Sequence, residues 1–159
     1  MANPTDIKNI ALETLALESD SIKSLSKVID DNFVKIVETL YKSEGKIILT
    51  GTGKSAIICM KTSATLNSTG TKSTFLHLGD AFHGDLGIID KNDIIICLSK
   101  SGESEEIKKL SNYLKLNKNT LIGISCNNNS LLKEISDMFI LTEIEKEACH
   151  NNLAPTTSS

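Results

Sequence analysis

The sequence predicts an α/β doubly wound fold, a five-stranded, mainly parallel sheet flanked by helices. Two observations carry that expectation. Short, β-branched, nearly continuous apolar runs recur at "KIILT" (46–50), "STFLHL" (73–78), "DIIICLS" (93–99), "TLIGIS" (120–125) and "MFILT" (138–142). Runs of this kind are strands buried on both faces, as parallel sheets require. Helical spacing fills most of the gaps, at 54–67, 104–116 and 130–136, and strand alternating with helix is the pattern of a sheet wound on both sides.

Taken in order, residues 5–29 place Ile7, Ile10, Ala11, Leu15, Ile22, Leu25 and Ile29 at helical spacing, with Thr5 as the expected N-cap. A second helix fits 31–43, with Phe33, Ile36, Val37, Leu40 and Tyr41 on one face and Gly45 as its stop. Residues 1–45 are therefore expected to form an N-terminal helical arm, and 46–159 the α/β core. With 159 residues the chain suits one domain with its own hydrophobic core. A net charge of −3 and the lack of a basic block argue against a broad nucleic-acid or membrane-binding face. The four cysteines form no C-x-x-C pair and the three histidines have no zinc-finger spacing, so reduced thiols are expected. The first residues, "MANPTDIKNI", lack an apolar signal core, and no apolar run approaches the ~18 residues of a membrane span. A cytoplasmic location is the expectation.

In such folds ligands sit at the carboxyl ends of the strands. The expected edge is built from "GTGKS" (51–55), "GDAFHGDLG" (79–87), "SKSGES" (99–104), "CNNNS" (126–130) and "EIEKEACHNN" (143–152). "LTGTGKSA" (49–56) admits three readings. A P-loop requires G-x-x-x-x-G-K-[ST], and the first glycine position is occupied by Ile48. A dinucleotide fingerprint fits Gly51, Gly53 and Ala56, but Asp80 comes late for the ribose acid and Lys54 suits a pyrophosphate turn poorly. The third reading is a sugar-phosphate site. Gly51, Thr52, Gly53 and Ser55 then let the backbone approach an anion at a helix N-terminus, and Lys54 supplies a point charge.

Ser99, Ser101 and Ser104 surround Gly102 at a helix start, which suits a phosphomonoester. Capping by Ser101, with Glu103, Glu105 and Glu106 complementing the helix dipole, explains the same residues without a ligand. His83, in "HGDLG", is either a hydrogen-bonded loop histidine or a proton shuttle. Glu147, after the last strand, is either solvated or a general base.

Together the segments "TGTGKSA" (50–56), "LNSTGTKSTFLH" (66–77), "FHGDLGII" (82–89), "SKSGESEEI" (99–107) and "EKEACHNNLAPTTSS" (145–159) resemble the sugar isomerase (SIS) domain family, and within it the D-arabinose 5-phosphate isomerases. The resemblance implies the flavodoxin-like strand order and an aldose–ketose isomerase that feeds 3-deoxy-D-manno-octulosonate synthesis without a cofactor. It implies phosphate contacts at Ser99, Ser101 and Ser104, with Thr156 and Ser158 on the far side. Lys54, Glu106 and Glu147 match catalytic positions and His83 a substrate-contacting one. Glu147 is the first choice as base, with Glu106 its rival. Lys54 would stabilise the oxyanion, and His83 would assist ring opening. Ala56 departs from a common glycine, Lys100 from a common asparagine, and "CHNN", with His150, from a common "CPLG". The family also implies self-association as a dimer or tetramer, and further segments beyond residue 159, so the chain is expected to be a fragment. A non-catalytic sugar-phosphate sensor, or an isomerase of another ketose phosphate, remains the alternative. The helix-turn-helix regulators of the family carry a basic N-terminal patch that this chain lacks.

Overall fold

The computed structural model describes residues 3–144, 146–149 and 154–158. Its centre is a five-stranded sheet made of β1 (Ile47–Gly51), β2 (Ser73–His77), β3 (Ile94–Leu98), β4 (Thr120–Ser125) and β5 (Met138–Leu141). The strands run in the order β2-β1-β3-β4-β5 and every neighbouring pair is parallel. Register places Thr50 between Leu76 and Cys97, and Leu98 against Ile124, so the carboxyl ends line up along one edge.

Successive strand residues point to opposite faces, and both faces are buried. Ile48, Ile95, Cys97 and Leu121 pack on one side with Ile107 and Leu110 of α5 (Glu105–Asn117) and Leu132 of α6 (Leu131–Ile135). On the other, Ile47 and Leu49 pack on Cys59 of α3 (Gly53–Ser68), while Ile94 and Ile122 meet Ile36 of α2 (Asp31–Tyr41). This double burial is why the strands read as continuous apolar runs. Burial also raises the thiols of Cys59 and Cys97, to about 11 and about 12.

At the N-terminus the structure differs from expectation. Helix α1 (Pro4–Ser24) is capped by Asn3, whose side chain accepts from Thr5 N at 3.1 Å, with Pro4 in the first turn; Thr5 is inside the helix. The helix stops before Ile29, passing into a 3₁₀ turn over Leu25–Val28. The reason lies just downstream, where Asp30 takes an extended conformation and accepts from Phe33 N at 2.9 Å, capping α2. Gly45 is not the helix stop, since α2 ends at Tyr41 with Lys42 as its cap. A Cβ on Gly45 would lie 2.2 Å from Asn92 O, so this glycine permits a close approach of two loops. Part of "GDAFHGDLG" is also helical, with α4 (Leu78–Ala81) and a 3₁₀ turn (Asp85–Ile88), because Leu78 and Ala81 are drawn into the core. Among the described residues no helix is long and apolar enough to cross a membrane.

Opposite the ligand edge, Asp93 joins the amino ends of the strands. Its carboxylate accepts from Lys46 N at 2.9 Å and Asp90 N at 2.8 Å and pairs with Lys46 Nζ at 2.8 Å, while its carbonyl accepts from Asn119 at 3.1 Å. Burial alone would push the Asp93 carboxyl up. The Lys46 ammonium and the two amides outweigh it and hold the group below the usual range. A depressed carboxylate adds stability above its unfolded value of about 3.9 and loses it as the pH falls through the folded one. D93N should therefore unfold with about 1.5–3 kcal/mol less stability at pH 7, measured by urea denaturation, and the gap to wild type should narrow below about pH 4. Separately, L121A removes a fully buried side chain from the central sheet and should cost about 2–5 kcal/mol in the same assay.

Candidate active site

After β1 the chain enters α3 on one face of the sheet, and after β3 it enters α5 on the other. The two connections part at the carboxyl edge and leave a crevice, which is where this strand order places ligands. Thr52, Ser55, Ser99, Lys100, Ser101, Ser104, Cys126 and Ile144 line a cavity there of about 650 Å³.

One wall is the β1–α3 turn. Gly51 is buried, and a Cβ there would lie 2.8 Å from Leu98 O, so this glycine is required for β1 to pass β3. Gly53 has φ +55 with open space around its Cβ direction, and its freedom serves the turn conformation. Thr52 stands at the N-cap of α3 without a side-chain cap bond, and with Ser55 it lines the crevice.

The other wall is the β3–α5 loop. Gly102 has φ +69, and a Cβ would meet Ser130 Cβ and Oγ at 2.6 Å. Ser99 Oγ accepts from Gly102 N at 3.1 Å and Ser101 Oγ from Glu103 N at 3.4 Å. The N-cap of α5 is Ser104 rather than Ser101, and it makes no side-chain cap bond. The three acids of this loop separate by role. Glu103 accepts from Leu131 N at 2.7 Å at the start of α6, and Glu105 pairs with Lys108 on the surface at 2.5 Å. Glu106 is hydrogen-bonded to Ser104; that bond, its own amide and the attraction of Lys109 and His77 hold its carboxyl below the usual range.

A second cluster adjoins the cavity. Glu147 has a side chain only 1% exposed. Its carboxylate accepts from Thr156 N at 2.8 Å and Thr156 Oγ1 at 3.0 Å, Thr157 Oγ1 at 3.1 Å, and Ser158 N at 3.3 Å and Oγ at 2.5 Å. Lys100 Nζ, from the cavity wall, reaches it at 2.5 Å. Burial would raise this carboxyl, but the bonds from Lys100, Ser158 and Thr156 together hold it far below the usual carboxylate range. Thr156 and Ser158, expected against a phosphate, thus bond Glu147 here.

The structure therefore gathers Thr52, Ser55, Ser99, Ser101 and Ser104 around one cavity, with Glu106 behind Ser104 and Glu147 behind Lys100. Lys54, in the first turn of α3, and His83, beyond α4, are exposed on the same edge outside the cavity lining. His150 lies outside the described residues. Sequence reasoning passed over Cys126, Ile144, Thr157 and His77. "CNNNS" is expected on the ligand edge, but as a turn it gives Cys126 no chemical role. His77 is different: it ends β2 on the ligand edge, and that position was the available clue. Its Nδ1 lies 3.2 Å from Asp80 Oδ2 without forming a hydrogen bond.

Comparison with known proteins gives a consistent result. The SIS domain family model matches residues 39–159. The chain is 44% identical over 148 residues to the arabinose 5-phosphate isomerase KpsF of Escherichia coli, covering 92% of this chain and 45% of that protein. It is 40% identical over 159 residues to the arabinose 5-phosphate isomerase KdsD of Pseudomonas aeruginosa, covering 100% of this chain and 49% of that protein. The chain thus spans about half the length of the curated relatives it matches. The solved structure of an Escherichia coli CFT073 protein in complex with arabinose 5-phosphate superposes with a TM-score of 0.93 at 34% identity, covering 99% of this chain and 84% of that one. With its all-parallel sheet and cavity-lining serines, the chain belongs to the SIS domain family.

Proposed function

We propose that this chain carries the sugar-phosphate site of an aldose–ketose isomerase that interconverts D-arabinose 5-phosphate and D-ribulose 5-phosphate, a step feeding 3-deoxy-D-manno-octulosonate synthesis. The observation that carries the reading is the cavity at the parting of α3 and α5, where Ser99, Ser101 and Ser104 converge. The names of the relatives and the arabinose 5-phosphate complex of the structural neighbour support the substrate.

The reaction moves one proton between adjacent carbons. A base takes the proton from C2 of the open-chain aldose, and the electron pair forms the C1–C2 double bond of an enediolate with its charge on O1. Transfer of the O2 hydrogen to O1 and return of the proton to C1 then give the ketose, with O2 as its carbonyl oxygen. Rate requires a correctly placed base, a donor for the developing oxyanion and a fixed phosphate to keep the chain in register. The serine hydroxyls and the α5 N-terminus hold the phosphate. Glu147 is the base and Glu106 its rival. Lys54 stabilises the oxyanion, and His83, on a neighbouring loop of the same edge, assists ring opening.

Self-association belongs to the same reading. On α1, Leu15 and Ile22 are 67% and 68% exposed, and Ile7 and Leu12 accompany them. An apolar set of this size on one exposed helix suits burial against a second copy of the chain.

Two measurements test this reading. An isomerisation assay with arabinose 5-phosphate, run on this chain and on one extended past residue 159, should show turnover in at least one of them. Tight binding without turnover in both would replace the enzyme by a sugar-phosphate sensor. In the active form E147Q should lose at least about 100-fold in kcat; wild-type turnover in E147Q with a collapse in E106Q would transfer the base to Glu106. For assembly, light scattering should find an oligomer that L15E converts to a smaller species, whereas a monomeric wild type would remove the interface.

A further inference from the structure

Lys100 stands between two anionic positions. Its backbone belongs to the loop that presents Ser99, Ser101 and Ser104, and its side chain lines the same cavity. Its ammonium nevertheless rests on Glu147, 47 positions later in the chain, at 2.5 Å. The two ends of this pair are unequal. The Lys100 side chain is 51% exposed, while that of Glu147 is 1% exposed and bonded to Thr156, Thr157 and Ser158. A lysine is a flexible stem carrying a compact point charge, and turning its exposed tip costs little. The buried carboxylate is fixed by its other bonds.

We propose that Lys100 is a substrate-responsive positioning residue, which a phosphoryl group seated against Ser99, Ser101 and Ser104 draws away from Glu147. This rests on the sugar-phosphate reading of the cavity. A phosphate near those hydroxyls places up to two negative charges beside Lys100, against one on Glu147, and charge-assisted bonds to phosphate are among the strong ones. Departure of the ammonium leaves Glu147 buried without that countercharge. A buried carboxylate that loses an opposite charge within hydrogen-bond reach becomes more basic by about 1–3 pH units. The carboxylate is then a better proton acceptor only when a phosphorylated substrate is in place. Among the described residues, the other ionisable groups sharing a cavity with Glu147 are Glu13 of α1, Lys146 and Cys149. Lys146 and Glu13 carry opposite charges and neither lines the phosphate cavity, so the phosphate-dependent part of the change is assigned to Lys100.

The test uses inorganic phosphate as probe and carboxyl-¹³C-glutamate-labelled chain, reading Glu147 and the amides of 99–104 by NMR. In wild type, saturating phosphate should move the amides and raise the Glu147 titration midpoint by about 1 pH unit or more. In K100M the midpoint should already be raised, phosphate should not move it further, and phosphate affinity should fall about tenfold. K100R should restore both the affinity and the response, which separates charge placement from misfolding. Amide shifts with an unmoved Glu147, or K100M binding phosphate as tightly as wild type, overturn the inference alone. Unmoved amides overturn the cavity reading and this inference with it.

Discussion

The site depends on one constraint: β1 and β3 are neighbours in a parallel sheet whose connecting helices leave for opposite faces. A right-handed crossover to either side leaves no chain to fill the space between the two departing turns. Both turns must also start their helices within a few residues of the strand. Gly51 and Gly102 meet that demand, since a Cβ on either would collide with Leu98 O or Ser130. Thr52, Ser55, Ser99, Ser101 and Ser104 then line one crevice from the two turns.

The sheet supplies rigidity on both sides of this opening. Its core residues are fully buried on each face, and the Lys46–Asp93 group fastens the amino ends of the strands opposite the crevice. The carboxyl edge is built otherwise, from hydroxyls, the exposed lysines Lys54 and Lys100, and carboxylates that include Glu106 and Glu147. Stability is concentrated at one edge and polar chemistry at the other, an arrangement that lets the loops change without cost to the core.

Most of this fold was legible in the sequence because double burial forces continuous apolar runs, and no other common architecture produces five of them between helices. The strands fall within a residue or so of their expected bounds, as "TLIGIS" against Thr120–Ser125 illustrates. Helix ends were harder. Asp30 caps the start of α2 and Lys42 its end, where Gly45 was expected as the stop, and a cap depends on backbone conformation that composition does not reveal. At the site, the serine loop was legible from hydroxyls crowded around a glycine. The grip of Thr156, Thr157 and Ser158 on Glu147 was not, because it joins residues whose proximity only the folded chain creates. The three acids beside the serines show the same limit: sequence offered them as helix-dipole partners, with Glu106 also a candidate base, whereas Glu103 bonds the start of α6, Glu105 pairs with Lys108 and Glu106 stands beside Ser104.

The central claim is that the parting of α3 and α5 seats a sugar phosphate. A crystal structure of the chain grown with arabinose 5-phosphate tests it most directly. The account predicts the phosphoryl oxygens within hydrogen-bonding distance of Ser99, Ser101 and Ser104, with the sugar extending towards Thr52 and Ser55. Ordered arabinose 5-phosphate at any other surface, with the crevice between β1 and β3 holding only solvent, would contradict it.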